Sequence, residues 1–374
     1  MRKTNLMNVV AGIGVGLMAT AGAAYAQTIP VDTANVPANA SENTYGPEFY
    51  ARYSPRSALD MVQQTPGFTI TESVEKRGLG QGGANVLINS QRISSKATSA
   101  QDALARISAD RVVRIEIVDG ARLNIPGLSG QVVNIITKGG AITGRWEWSP
   151  EFRQDRTPQL ERGKLFVSGD ISGWNYTASL SSNQTGDNYY GYEIASDARH
   201  VVFDTRIEHE EVRDTHVQGS LDLSYETLDG SIANIHFLAA GDDKHTREVS
   251  DRTGTRLPDR VRFYDKADEG EKIEVGGDYE FGLGPGRLKL IGLHQTSTTG
   301  PIESAMVDYL GARARTGARV NTESESGESI GRTEYSLKTG DSDWQLSLEG
   351  AFNYLDTSGQ LFALSGDTYA PVPL

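Results

Sequence analysis

Apolar and polar residues alternate strictly along much of the chain after Gly139-Gly140. In residues 217–226, 272–281 and 344–353, every second residue is apolar or glycine, and nearly all residues between them are polar or charged. Successive side chains of a strand point to opposite faces, so this spacing predicts strands with one apolar and one polar face. Each run has about ten residues, the length with which a tilted strand crosses a bilayer. A soluble β-sandwich alternates in the same way, so both structures stay open at this point.

The connections between these runs alternate in length. Tight turns are predicted at 172–173, 228–230, 284–286 and 339–343. Long polar links are predicted near 156–163, 185–204, 242–269 and 298–328. Short periplasmic turns and long external loops are typical of bacterial outer-membrane barrels. We count about nine strands between residues 145 and 356. An aromatic girdle is expected near their ends at Trp146, Trp148, Trp174, Trp344 and Tyr354.

Residues 45–140 show a mixed helix and strand pattern instead. Ser54-Pro55 predicts the start of a helix, because serine caps helices and proline suits their first position, and 65–67 predicts its end. A second helix is predicted from a capping box at 98–101, with Thr98 as the cap and Gln101 facing back to it. Short strands are predicted at 68–71, 85–89, 112–118 and 132–137. This part of the chain therefore reads as a small α/β domain.

The N-terminus has the three parts of a secretory signal peptide. Arg2 and Lys3 precede an apolar run, and Ala24-Tyr25-Ala26 supplies the small residues of a cleavage site. Cleavage is expected near Ala26-Gln27, and residues 27–44 follow as a flexible polar leader. The processed chain is therefore expected in the periplasm, outside the cell or in the outer membrane.

Composition and charge exclude several functions. Removing Arg2 and Lys3 lowers the 36 basic residues to 34, against 49 acidic residues, and moves the formal net charge from −13 to −15. So acidic a chain disfavours nucleic acid as a partner. The absence of cysteine excludes disulfides, thiolate metal sites and cysteine nucleophiles. His209-Glu210-Glu211 lacks the second histidine of a zinc-protease motif, since residue 213 is arginine. We find no catalytic constellation, and predict a protein that is not an enzyme and needs no cofactor or metal.

A Gly-x-Gly-x-x-Gly motif stands at Gly78, Gly80 and Gly83. A dinucleotide site requires a helix directly after such a motif, so that the helix N-terminus meets the pyrophosphate. Residues 84–89 predict a strand instead, which argues against a nucleotide site. The glycines then indicate a bendable loop at 76–83.

Four segments in order resemble the plug domain of TonB-dependent outer-membrane receptors. They are residues 58–68, 85–92, 113–118 and 130–138, which are similar to the first plug helix with its Pro-Gly exit, an Ile-Asp-Gly-x-Arg strand and turn, a Val-x-Arg-Ile-Glu-Val strand and a closing Asn-Ile-x-Thr-Lys strand. Ser90 stands where the family usually has glycine. The later half of the chain resembles the family only in its strand pattern.

The resemblance implies an α+β plug followed by an antiparallel transmembrane β-barrel, which in this family has 22 strands. It divides the chain into a signal peptide (1–26), a leader (27–44), a plug (45–140) and a partial barrel (141–374). The implied function is uptake of a scarce solute, such as a siderophore, vitamin, saccharide or peptide. The implied partners are a TonB-type energy-transducing protein of the inner membrane, outer-membrane lipid or lipopolysaccharide, and the external solute.

The resemblance also implies candidate site residues. Loop 76–83 would rise toward the outer face, with Arg77 and Gln81 as its ligand-contacting groups. Thr28, Ile29, Pro30 and Val31 are the candidate segment for the TonB-type partner. An odd number of strands would leave two unpaired edges in lipid, so the sequence is also expected to be the N-terminal part of a longer receptor. The alternative from another class is a periplasmic or secreted β-sandwich binding module without enzymatic activity.

Overall fold

The structure is a computed structural model that describes residues 43–71, 84–92, 99–120, 123, 130–138, 142–154, 156–311, 313–340 and 342–373. The chain divides into two compact units. One is built mainly from residues up to Thr143 and is called here the α/β unit. The other is built mainly from residues after it and is called the long-stranded sheet. An α+β unit followed by an antiparallel sheet is the fold class that the sequence predicts.

The α/β unit contains short helices and a five-stranded sheet. Its helices are α1 (Pro47–Tyr50), α2 (Ala58–Gln63) and α3 (Ala100–Arg106), with 3₁₀ turns at Ala51–Tyr53 and Ala109–Arg111. Its strands are β1 (Thr44–Tyr45), β2 (Val86–Ile88), β3 (Gln91–Arg92), β4 (Val112–Asp119) and β5 (Gln131–Thr137). The strand order is β1-β4-β5-β2-β3, and β2 runs parallel to β5 while the other pairs are antiparallel. The core between helices and sheet includes Tyr50, Met61, Leu104, Ile115 and Ile135, all almost fully buried.

Three of the four plug-like segments meet at one polar cluster. The Asn134 side-chain amide donates to Glu116 and to the Ser90 hydroxyl, both at 3.1 Å, and its oxygen accepts from the Ser90 backbone at 2.8 Å. Ser90 has a φ of 64°, in the left-handed region that favours glycine. Its hydrogen bonds to Asn134 therefore hold a turn that glycine would adopt without strain.

Helix α2 begins three residues later than the sequence predicts. Ser54 does not cap it, because Ser54 has a φ of 49° and closes the preceding 3₁₀ turn. The cap is Ser57, whose hydroxyl accepts from the Asp60 backbone at 3.2 Å while the Asp60 carboxylate accepts from the Ser57 backbone at 3.0 Å. This reciprocal pair is a capping box, and it outweighs the Ser-Pro signal.

Replacement of Ser57 by alanine tests this correction. We expect Ser57→Ala to destabilise α2 by about 1 kcal/mol, because the Asp60 backbone N–H loses its acceptor. Ser54→Ala is the matched control and should change the stability of α2 much less. Hydrogen exchange at the α2 amides measures both, and equal effects of the two substitutions would contradict the assignment of the cap.

Two further predictions for the α/β unit need correction. Helix α3 is capped by Ser99, which accepts from the Asp102 backbone at 3.0 Å, so the cap lies one residue after Thr98, which itself is outside the described residues. Residues 68–71 are not a strand; Phe68 is buried in the core, and Asn85 hydrogen-bonds the backbone of residues 69 and 71 from its side chain. Hydrogen bonds of the Asn85 side chain therefore hold this segment, in place of the strand that the apolar pattern predicts.

The long-stranded sheet has eleven strands. They are β6 (Thr143–Trp148), β7 (Gly163–Ile171), β8 (Trp174–Ser196), β9 (Val202–Glu226), β10 (Ile232–Gly254), β11 (Arg260–Leu283), β12 (Gly286–Thr299), β13 (Ile302–Tyr309), β14 (Thr316–Thr339), β15 (Ser342–Ser365) and β16 (Thr368–Pro371). Sequential neighbours pair from β6 to β16, and β12 and β13 share one place between β11 and β14. The nine predicted strands are therefore present, with one of them interrupted after Thr299, and the short β16 follows.

The tight turns and the long link at 156–163, which lies between β6 and β7, match the prediction, and the other three long links do not. Glycines with positive φ close the turns, at Gly173, Gly230, Gly284 and Gly340. The predicted links 185–204 and 242–269 are mostly strand, because β8 to β11 have 23 to 25 residues each. The predicted link 298–328 is mostly covered by β13 and β14. These segments carry charges on both faces and lack apolar alternation, so only their cross-strand partners identify them as strands.

Candidate functional site

One face of the long-stranded sheet carries exposed apolar side chains. They are Leu221, Ile235, Phe237, Val275, Tyr279, Leu290, Leu346, Leu348 and Phe352, called here the apolar belt. Leu221 is the register partner of Phe237, which is that of Val275, and Tyr279 is that of Leu290, so these residues share a face across β9 to β12. On β15, the ion pair between Arg332 and Glu349 puts Glu349 on the other face and hence Leu348 on the belt side.

The opposite face of the same strands carries buried charge. The side chains of Glu274 and Asp278 are fully buried, and His236 and Glu328 are nearly so. The His236 Nδ1 lies 2.6 Å from an Asp222 oxygen, and its Nε2 lies 3.6 Å from Glu274. This face is called here the polar face.

Hydrogen bonds and ion pairs compensate the other carboxylates of the polar face. Lys289 Nζ lies 3.1 Å from Asp278, which also accepts from the Asn234 amide at 3.0 Å. Gln295 donates to Glu328 at 2.9 Å. Buried charges require such partners, because an isolated ionised group in a low-dielectric site is very costly.

The sheet therefore exposes apolar side chains and buries charged ones, the reverse of a water-soluble sheet, which turns its apolar side chains inward. A contiguous exposed apolar band marks a surface that contacts another protein, a membrane or a ligand. The alternating runs 217–226, 272–281 and 344–353, which carry the belt residues of β9, β11 and β15, have ten residues each. This matches the length of a tilted strand across a bilayer. Trp344 is exposed at the turn side of the band on β15, and Tyr354 lies ten residues further on, where its hydroxyl donates to Glu325 at 2.9 Å.

Beyond the belt, the strands continue with charged residues on both faces. On the belt side, Asp265 of β11 lies 3.2 Å from His245 and 3.4 Å from Arg247, both of β10. On the polar-face side, Arg262 pairs with Glu248. These charges suit water rather than lipid, so the strand ends remote from the tight turns form a separate polar zone, called here the distal extension.

The distal extension contains a nearly buried ion pair. Arg260 Nη2 donates to both oxygens of Asp204, at 3.0 and 2.9 Å, and both side chains are less than a tenth exposed. Arg206 Nε donates to the same carboxylate at 3.0 Å. Burial opposes ionisation of Asp204, but the hydrogen bonds and charges of Arg206 and Arg260 outweigh it and hold the pKa of the Asp204 carboxyl below its usual value.

Three arginines lie side by side in this zone. The register places Arg252 of β10 directly opposite Arg206 of β9 and Arg260 of β11. Sequence reasoning missed this row, because its members are separated along the chain by 46 and 8 residues and only the strand register brings them together. The equal spacing of Arg206 and Arg252 from the tight turn at 228–230 would have been a signal for that pair only.

The predicted site residues fall outside the described part of the chain. Arg77 and Gln81, and Thr28, Ile29, Pro30 and Val31, lie outside the described residues, as do Gly78, Gly80 and Gly83. His236 lies on the polar face beside Asp222. Within the described ranges, no three histidine or acidic side chains are grouped so that they could hold a metal ion. In the same ranges, every helix is too short or too polar to span a membrane.

No protein-family model matches the sequence, and no curated protein matches it significantly. Among solved structures, similarity is found to the FpvA receptor of Pseudomonas aeruginosa bound to a ferric pyoverdine, at 10% identity and a TM-score of 0.29, covering 86% of this chain and 54% of that one. The ferric citrate transporter FecA in its unliganded form has 12% identity and a TM-score of 0.23, with 86% and 60% covered. BauA, the ferric preacinetobactin receptor of Acinetobacter baumannii, has 11% identity and a TM-score of 0.23, with 86% and 60% covered.

The chain thus spans a little over half the length of these solved structures. At such identities the similarity is one of fold alone.

Proposed function

We propose that this chain belongs to an outer-membrane receptor that binds a scarce solute outside the cell and admits it into the periplasm. The observation that carries the proposal is the apolar belt opposite a polar face with buried charges. Lipid is the neighbour that such a sheet requires, and a sheet that crosses a bilayer pairs its backbone groups within itself. The alternative of a soluble β-sandwich would place the belt inside and the charges outside, and it is disfavoured for that reason.

The direction of the strands follows from their connections. In outer-membrane sheets the short turns face the periplasm and the long ends face outward. The turns closed by Gly173, Gly230, Gly284 and Gly340 would then be periplasmic, and the distal extension would be external. Solute would first meet the distal extension and, if it lies where the plug resemblance puts it, loop 76–83 with Arg77 and Gln81.

The remaining parts of the proposal concern the N-terminal half. Residues 1–26 direct export and are removed, residues 45–140 form the plug, and residues 141–374 form part of the membrane sheet. Thr28–Val31 within the leader 27–44 would bind a TonB-type protein of the inner membrane, which pulls on the plug to admit the solute. The solute itself is not specified by these features.

An uptake assay in whole cells separates binding from energised transport. Deletion of residues 28–32 should abolish uptake of the solute and leave its binding at the cell surface unchanged, because the leader acts on the plug and not on the solute. Arg77→Ala should act on binding itself. It should weaken binding at the cell surface by about 1–3 kcal/mol, the cost of a lost charged hydrogen bond.

Recovery of the chain in the outer-membrane fraction is the control for both variants. Equal loss of binding and uptake on deletion of residues 28–32 would show that the segment is structural. An unchanged dissociation constant for Arg77→Ala would remove Arg77 from the site. Recovery of the unmodified chain in the soluble periplasm without detergent would contradict the proposed function as a whole.

A further inference from the structure

The arginine row of the distal extension is only partly compensated by ion pairs within the sheet. Arg206, Arg252 and Arg260 stand directly opposite one another on β9, β10 and β11. Like charges directly opposite each other destabilise an antiparallel sheet. Arg262 follows on the same face of β11, two residues after Arg260, so four guanidinium groups occupy a small area.

The outer members of the row are well paired. One terminal nitrogen of Arg260 donates to the Asp204 carboxylate. The Arg206 guanidinium lies 3.0 Å from the Asp204 carboxylate and 2.9 Å from that of Glu193. Arg262 pairs with Glu248. These contacts hold the flanking guanidinium groups in place.

Arg252, at the centre, is paired least well. Its Nε donates to the Ser250 hydroxyl at 3.0 Å, and its Nη2 is 3.5 Å from the Glu208 carboxylate, beyond a good hydrogen bond. That carboxylate already accepts from Ser250 at 2.8 Å. Among the contacts of the described residues, this is the one ion pair of Arg252, although its side chain is only 15% exposed. Burial, and then the charges of Arg206 and Arg262, lower the pKa of the Arg252 guanidinium from its usual value.

We infer that Arg252 and the arginines beside it form an anion site, which takes the carboxylate or phosphate oxygens of a solute that carries several negative charges. Guanidinium groups recognise such planar or tetrahedral oxyanions with paired hydrogen bonds. The site lies at a sparsely exposed face, where each charge interaction is stronger than in open water. An anion would fill the gap in the pairing of Arg252 and relieve the repulsion along the row.

Aromatic rings border the site on the same face. Tyr264 follows Arg262 on β11, with the Arg262 guanidinium 5.1 Å from its ring centre, and Tyr309 of β13 is the register partner of Arg260. Arg313 lies 4.9 Å from the Tyr309 ring centre. Guanidinium groups held over rings keep a fixed orientation, which positions Arg262 beside the row for an anion.

This inference deepens the proposed function, since it names the chemical class of the solute and places the contact on the external strand ends. Its test is independent of uptake. The full chain in detergent micelles is titrated calorimetrically at low ionic strength with citrate in one arm and pyrophosphate in the other. We expect saturable binding of at least one, and the better binder identifies carboxylate or phosphate as the ligand group.

Arg252→Gln removes the charge and leaves a shorter polar side chain, and should weaken binding of that anion at least tenfold. Arg213→Gln is the matched control, because Arg213 is an exposed arginine of the belt side of β9 paired with Glu211, and binding should change less than twofold. Absence of binding to the unmodified chain, or equal binding by Arg252→Gln, would overturn the inference.

A second measurement distinguishes an anion-binding role of Arg252 from a purely structural one. In buffer without multivalent anions, Arg252→Gln should leave the urea midpoint of unfolding unchanged or raise it, because it removes repulsion from Arg206 and Arg260. A lowered midpoint would instead assign Arg252 to the ion-pair network of the sheet and overturn the inference. Failure of uptake in cells would leave both results intact, so the two proposals fail separately.

Discussion

Phe237→Arg should lower the free energy of unfolding in lipid vesicles by about 2–4 kcal/mol, because it places a charge in the middle of the lipid-facing belt. Phe237 is 42% exposed in the sheet, so a water-soluble protein would accept arginine there at small cost. Urea unfolding of the vesicle-bound chain, followed by tryptophan fluorescence, measures the change.

Phe263→Arg is the matched control for this substitution. Phe263 lies on the same side of the sheet, is exposed to a similar degree at 38%, and faces Val249 in the distal extension rather than the belt. We expect its effect to stay within about 0.5 kcal/mol, as for an ordinary surface position. Similar effects at positions 237 and 263 would contradict the assignment of the belt to lipid.

Asp204→Ala should destabilise the long-stranded sheet by about 3–5 kcal/mol, because it leaves the Arg260 guanidinium buried without its carboxylate partner. Both members of the pair are less than a tenth exposed, and Arg206 loses the same partner. Urea unfolding in detergent micelles at neutral pH measures the loss.

Asp367→Ala provides the comparison, since Asp367 pairs with Arg315 at 3.1 Å but its side chain is 85% exposed. Removal of such a surface pair should cost less than about 1 kcal/mol. The pKa of Asp204 is lowered in the folded chain by Arg206 and Arg260 acting against burial, so its contribution is present above the unfolded pKa of aspartate and is lost as the pH falls through the lower, folded pKa. The difference between the wild type and Asp204→Ala should therefore shrink in acid. A pH-independent difference would show that charge is not its source.

The sequence predicts the parts of the sheet in which apolar and polar residues alternate. Alternation at 217–226 and 272–281 identifies the strand portions that bear the belt, and glycines identify the turns. Alternation does not identify the strands beyond the belt, where β10 continues through 242–254 with charges on both faces and no alternating apolar residues. Ladder hydrogen bonds and pairs such as Arg262 with Glu248 stabilise these strands, and such partners are distant in sequence.

In the α/β unit, the sequence predicts α2 and α3 but not the short α1, and it places the caps of both predicted helices too early. Ser54-Pro55 resembles a helix start, yet α2 begins after Ser57, because Ser57 and Asp60 satisfy each other's backbone groups. The candidate functional residues likewise depend on contacts that the sequence does not show. The arginine row cannot be read from the chain, because a shift of one residue in register would move Arg252 to the other face.

The central claim, that the apolar face of the long-stranded sheet lies in lipid, is tested most directly by a nitroxide scan along β10. The chain has no cysteine, so single cysteines at successive positions of Ile232–Gly254 can be labelled one at a time in lipid vesicles. We predict that oxygen accessibility alternates with a period of two from 233 to 239, with maxima at 235 and 237, while a water-soluble nickel reagent reaches the labels only from about 243 onward. Labels at 235 and 237 that the nickel reagent reaches as readily as those at 249 and 251 would contradict the account.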